Sequence, residues 1–135
     1  MTNGRFNLLM IRSSNIDAAV RFYQRIGLTF AKHSHGKGPD HYCSENGGIL
    51  FEIYPLEEGK PPTLETRLGF CVPSVDAMAS ALVNLGARVI SAPKDSPWGR
   101  RAVFADFDGH RVEFTSLFVE SPETIETTNE FELVR

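Results

Sequence analysis

Two carboxylates sit inside strand-like apolar runs: Glu52 within Ile49-Leu50-Phe51-Glu52-Ile53-Tyr54, and Glu113 within Val112-Glu113-Phe114. Burying an unpaired carboxylate among such neighbours is costly, so each should have a partner. If Asn46-Gly47 is the centre of a hairpin turn, Glu52 lies opposite His41 on the same face of the sheet. An acid and an imidazole on one pocket wall would make a general base or a pair of metal ligands; the alternative is that both are half-exposed at a sheet edge. Arg12 ends the first strand candidate, where a guanidinium would clamp a ligand carboxylate or phosphate or simply be solvated. Trp98, between Pro97 and Gly99, either folds back on the core or rests against a ligand. Phe104, like Phe51, Tyr42 and Tyr54, would supply either an aromatic wall or ordinary core. His33 and His35 flank Ser34 just before Gly36-Lys37-Gly38-Pro39, where alternate histidines either chelate or sit in solvent. The sequence has no P-loop, dinucleotide-type glycine run, nucleophile elbow or zinc-finger spacing.

These residues must be positioned by a small set of elements. Ile16, Ala19, Val20, Tyr23 and Ile26 recur at helical spacing, with Ser14 ahead of Asp17 as the capping signal and Gly27 as the stop. The pattern returns 59 residues later in Val75, Met78, Ala79, Leu82 and Leu85, with Ser74 as cap, Asp76 matching Asp17, and Gly86 as the stop. One offset carrying five apolar positions, an acid and a terminal glycine points to an internal repeat. Strand candidates flank both helices: 6–12 before the first, then 29–33, 41–44 and 49–54; 68–72 before the second, then 88–91, 101–105 and 111–118. Each half is βαβββ, its last two strands joined by Asn46-Gly47 or by Asp108-Gly109. The expected fold class is α+β: two tandem βαβββ modules, about residues 5–60 and 65–118, forming an eight-stranded open barrel with a ligand cleft. Together they make a single domain over 1–118, followed by an acidic C-terminal tail over 119–135.

Composition narrows the function. The 135 residues are 41% hydrophobic and 23% charged, enough for one core without disulfides or a structural metal. Five of the 17 acids lie in the last 17 residues, which leaves 13 bases against 12 acids in the rest. With no broad cationic face, nucleic acid and anionic membrane are poor partners and a small-molecule ligand is the better expectation. Cys43 and Cys71 do not form a CxxC pair, Met1 to Phe6 offers no apolar signal sequence, and no apolar run approaches membrane-span length. The chain reads as cytoplasmic.

Asn15-Ile16-Asp17, Phe22-Tyr23, Ile26-Gly27-Leu28, Leu85-Gly86-Ala87, Pro97-Trp98-Gly99-Arg100 and the run Asp106-Phe107-Asp108-Gly109-His110-Arg111-Val112-Glu113-Phe114 together resemble the vicinal oxygen chelate superfamily of glyoxalase I, bleomycin-resistance proteins and extradiol dioxygenases. The resemblance spans about residues 6–118. It implies a paired βαβββ fold, usually in a homodimer, and in metal-dependent members a divalent ion (Zn, Ni, Mn or Fe) held by side chains from the first and last strand of each half. By position, the last-strand ligands fall on Glu52 and Glu113, and the first-strand ligands on Leu8 and Arg67. Leucine has no donor atom and guanidinium is a cation, so half of that site is missing. Arg67 is then the expected counter-charge for Glu113, replacing the ion by a salt bridge. A weakly held ion on Glu52, Glu113 and His41 is the competing expectation. Two functions follow from the resemblance: a glyoxalase-like protein that binds or sequesters a metabolite or drug without a metal, using Arg12, His41, Arg67, Trp98 and Phe104; or a divalent-metal-dependent lyase or isomerase of the glyoxalase I type, with Glu52 or Glu113 moving the proton.

Overall fold

A computed structural model describes residues 3–116. The acidic tail expected at 119–135 lies outside the described residues. The first module consists of β1 (Leu8–Ser13), α1 (Ile16–Ile26), β2 (Ala31–His33), β3 (His41–Asn46) and β4 (Ile49–Pro55). The second repeats the order with β5 (Arg67–Cys71), α2 (Val75–Leu85), β6 (Arg88–Ser96), β7 (Gly99–Ala105) and β8 (Arg111–Ser116). The eight strands lie in two open four-stranded sheets, ordered β1-β4-β3-β2 and β5-β8-β7-β6. In each, the first strand pairs parallel to the last and the other pairs are antiparallel. A parallel pair needs a crossover, and the single helix of each module supplies it.

The two helices begin and end 59 residues apart, as their apolar spacing requires. Asn15, rather than Ser14, caps α1 by accepting the Ala18 N–H at 3.0 Å, and Ser74 does the same for α2 with Ala77 at 3.1 Å. The first-turn acid of each helix is tied to its own sheet, but by different chemistry. Asp17 accepts from the Tyr42 hydroxyl at 2.6 Å, which raises the pKa of the phenol. Asp76 accepts two bonds from the Arg100 guanidinium, which also holds Asp95.

In the first module, Ala19, Val20, Phe22 and Tyr23 of α1 are buried along with Ile11, Phe51 and Ile53 of the sheet. Tyr23 meets Phe51 edge-on at 5.0 Å, fixing which face the helix covers. In the second, Val75, Ala79 and Leu82 of α2 are buried with Leu68, Phe104, Val112 and Phe114. Strand alternation then leaves residues of the opposite parity on each sheet's other face.

Three local departures from the sequence reading matter for the site. The β3–β4 turn is centred on Gly47-Gly48, both left-handed (φ 59° and 90°), and not on Asn46-Gly47. Two consecutive positive φ values suit the twist of a two-residue hairpin, and a second glycine adopts one at less cost than asparagine. The β7–β8 connection is a five-residue loop, 106–110, in place of a tight turn at Asp108-Gly109. β6 and β7 extend to Ser96 and Gly99, so Pro97-Trp98 is a hairpin tip. The register shifts between Val89 and Lys94 accommodate Pro93, which cannot donate to the ladder.

Candidate functional site

The face of the first sheet opposite α1 is organised in three rows across the strands. His33 pairs with His41, the next step of the β3–β4 ladder sets His41 against Tyr54, and Tyr54 pairs with Arg12. The row beside it is Ala31, Cys43, Glu52 and Met10, and the third is Glu45, Leu50 and Leu8. Leu8, Met10 and Leu50 are 48%, 37% and 39% exposed, a high value for large apolar side chains on a sheet.

The turn at Gly47-Gly48 corrects the partner expected for Glu52. Its direct cross-strand neighbour is Cys43; His41, two residues further along β3, remains on the same face. Burial raises the Cys43 thiol pKa, and the nearby Glu52 carboxylate raises it further by disfavouring a second negative charge. At a fixed pH this leaves less thiolate. Alkylation of Cys43 by iodoacetamide, followed by mass spectrometry, is therefore expected to require a higher pH than alkylation of an ordinary cysteine. Glu52→Gln should bring the midpoint only part of the way down, because burial is the larger cause and stays.

His41 is buried, and its ring lies flat on Tyr54 with centroids 4.1 Å apart and 8° between planes. The Arg12 guanidinium covers the Tyr54 ring at 5.4 Å, and Nη1 donates to the Pro55 carbonyl at 3.1 Å and to Glu57 at 3.3 Å. The clamp expected at Arg12 is thus already engaged by the protein.

In the second module, Glu113 is 6% exposed and its Oε1 accepts from Arg101 Nε at 2.7 Å. Arg101, not Arg67, makes this ion pair. Arg67 pairs with Arg111 along β5 and β8 and is exposed, while the residue directly opposite Glu113 is Gly69. Phe104 is fully buried, edge-on to Phe114 at 6.3 Å, so the aromatic wall expected there is core packing. Trp98 is half-buried at the β6–β7 tip, where its backbone N–H donates to Ser96 Oγ.

The ion implied by the resemblance does not fit these side chains. On the first strand of each module, where the other ligands would stand, the partners of the two carboxylates are Met10 and Gly69, a weak thioether acceptor and no side chain at all. Leu8 and Arg67 offer no donor either, and Glu113 is held by a guanidinium that repels a dication. A different group of metal-ligating types, Asp106, Asp108 and His110, has ligand atoms within 4.8 Å of one another in the 106–110 loop. Asp106 is buried. Its Oδ1 accepts the N–H groups of Asp108, Gly109 and His110 at 2.9–3.0 Å, and its Oδ2 meets His110 Nδ1 at 2.8 Å. That carboxylate is already committed to shaping the loop. Sequence reasoning missed Arg101 and the Asp106–His110 pair because both depend on the length of this loop, which a DG dipeptide does not specify.

Residues 5–114 match the sequence pattern of the Glyoxalase/Bleomycin resistance protein/Dioxygenase superfamily. The chain belongs to this superfamily. An uncharacterized protein of Mycolicibacterium smegmatis is 25% identical over 116 residues, covering 86% of this chain and 97% of the relative. Among solved structures, TnmS3, an antibiotic binding protein from Streptomyces sp. CB03234, superposes with TM-score 0.71 at 24% identity over 87% of this chain and 99% of its own. A glyoxalase/bleomycin resistance protein from the same Streptomyces strain has TM-score 0.65 at 25% identity, covering 82% and 99%. TioX from Micromonospora sp. ML1 has TM-score 0.64 at 23% identity, covering 85% and 100%. The fold is thus shared with these three solved structures. Among the described residues no helix is long and apolar enough to cross a membrane.

Proposed function

We propose that this superfamily member binds a small, flat, largely apolar molecule on the open face of its first sheet, without a metal at the superfamily's ligand positions. The observation that carries this reading is the exposed trio Leu8, Met10 and Leu50 beside Glu52, on the sheet face that α1 does not cover. Exposed apolar side chains grouped beside one polar anchor are typical of a ligand-binding surface. A flat ligand would lie on the aliphatic trio, donate a hydrogen bond or present a cation to Glu52, and abut the stacked Tyr54 and His41. The Arg101–Glu113 ion pair favours this over the lyase or isomerase reading, which needs that carboxylate free to ligate or to move a proton. The relatives described as antibiotic-binding and bleomycin-resistance proteins support the same ligand class.

Titration calorimetry with bleomycin and a panel of flat polycyclic antibiotics tests the proposal on the chelator-treated protein. At least one compound is expected to bind at one per chain, and Met10→Glu should weaken it about tenfold or more, since 1.4 kcal/mol is a factor of ten. Met10 is exposed, so the variant should fold. Unchanged affinity in that variant, or no binding across the panel, would overturn the reading. Sedimentation of both proteins separates a ligand surface from one covered by a second copy, the homodimer expected of this superfamily: a monomer shift caused by Met10→Glu would assign the face to self-association.

A further inference from the structure

We propose that His33, His35 and His41 form a site for one borderline divalent transition ion of the Zn²⁺ type, separate from the superfamily's ligand positions. The topology brings the three together. His33 and His41 are direct cross-strand partners on β2 and β3, and His35 follows two residues after His33. The ring centroids are 5.3 Å apart for His35 and His41, 5.8 Å for His33 and His35, and 5.9 Å for His33 and His41. Three imidazoles bound to one tetrahedral ion at about 2.0–2.1 Å have centroids roughly 5 Å apart. The His33 and His35 rings stand nearly parallel, 12° apart, so their nitrogens must turn toward a common point, which side-chain rotation allows because both residues are exposed.

His41 is prepared as the fixed ligand. It is 3% exposed and clamped against Tyr54, and its Nδ1 lies 3.2 Å from the Pro39 carbonyl oxygen. A ring nitrogen facing a carbonyl must donate, which makes Nε2 the lone-pair nitrogen. A backbone carbonyl holding the other ring nitrogen is the usual outer-shell arrangement of a metal-bound histidine. His35 is anchored by its own backbone: its carbonyl accepts the Gly38 N–H at 2.8 Å across a turn in which Gly36 takes φ 57°. Imidazole donors select Zn²⁺, Cu²⁺ or Ni²⁺ over Mg²⁺ or Ca²⁺, and three of them leave a fourth position for water or a ligand atom. A bound ion would tie the 34–40 loop to the edge of the sheet. The inference does not rest on the ligand surface proposed above.

The test uses the full chain, stripped of metal, with Zn²⁺ calorimetry and Co²⁺ absorption. One ion per chain is expected, with the visible bands of four-coordinate cobalt and no thiolate charge-transfer band. The double variant His33→Gln/His35→Gln, altered only at exposed positions, should bind about 100-fold more weakly or not at all, with an unchanged circular dichroism spectrum. Cys43→Ser should bind like the native chain. Absence of binding at micromolar Zn²⁺, retention of affinity by the double histidine variant, or a charge-transfer band that Cys43→Ser removes would each overturn the assignment.

Discussion

Asp106→Ala is expected to lower stability by about 3–5 kcal/mol, because a buried hydrogen-bonding hub cannot be deleted without stranding its partners. Asp106 Oδ1 accepts three successive backbone N–H groups and Oδ2 engages His110, itself fully buried. Alanine leaves those donors facing a space too confined for solvent to replace the carboxylate fully. For a chain of this size the loss corresponds to about 10–20 °C in Tm by differential scanning calorimetry. Asp106→Asn retains the Oδ1 acceptor and should lose less than half as much. Adding EDTA to the native protein should leave Tm unchanged if the loop is shaped by these bonds alone. A large chelator effect that Asp106→Ala abolishes would show instead that the Asp106, Asp108 and His110 cluster holds a metal.

Removing the guanidinium that binds Glu113 should have the next largest effect. Arg101→Ala is expected to cost about 2–4 kcal/mol, since a short charge-assisted bond to a carboxylate that is 6% exposed is lost while the carboxylate stays buried. Much of that cost is the stranded charge rather than the worth of the pair. Arg101→Met/Glu113→Leu, which removes both charges and keeps the volume, should therefore be more stable than Arg101→Ala alone. Urea denaturation of Arg101→Met, Glu113→Leu and the double variant, read as a double-mutant cycle, isolates the coupling. Additive single effects would show that Arg101 acts through packing of its aliphatic stem and not through Glu113.

How much of this could be read in advance depended on the range of the physical signal. The helices were legible because their apolar period, N-terminal caps and terminal glycines are all local, and Ile16–Ile26 and Val75–Leu85 lie where the spacing puts them. The βαβββ order followed from alternating strands and turn residues, and it placed Glu52 and Glu113 correctly on the last strand of each module. What failed was register. A hairpin partner is set by which two residues turn, and Gly47-Gly48 competed with Asn46-Gly47 at a difference too small to read from composition; the shift replaced His41 by Cys43 beside Glu52. Loop length decided the second module, where the hydrogen bonds around Asp106 held open a five-residue loop and brought Arg101 to Glu113 in place of Arg67. Residue type and local period thus determined the elements and the strand positions of Glu52, which is half-buried, and Glu113, which is buried, because propensity and amphipathic spacing act within a few residues. Only the tertiary structure decided the partners, because each partner is chosen by a turn geometry and a cross-strand contact that act between segments distant in sequence.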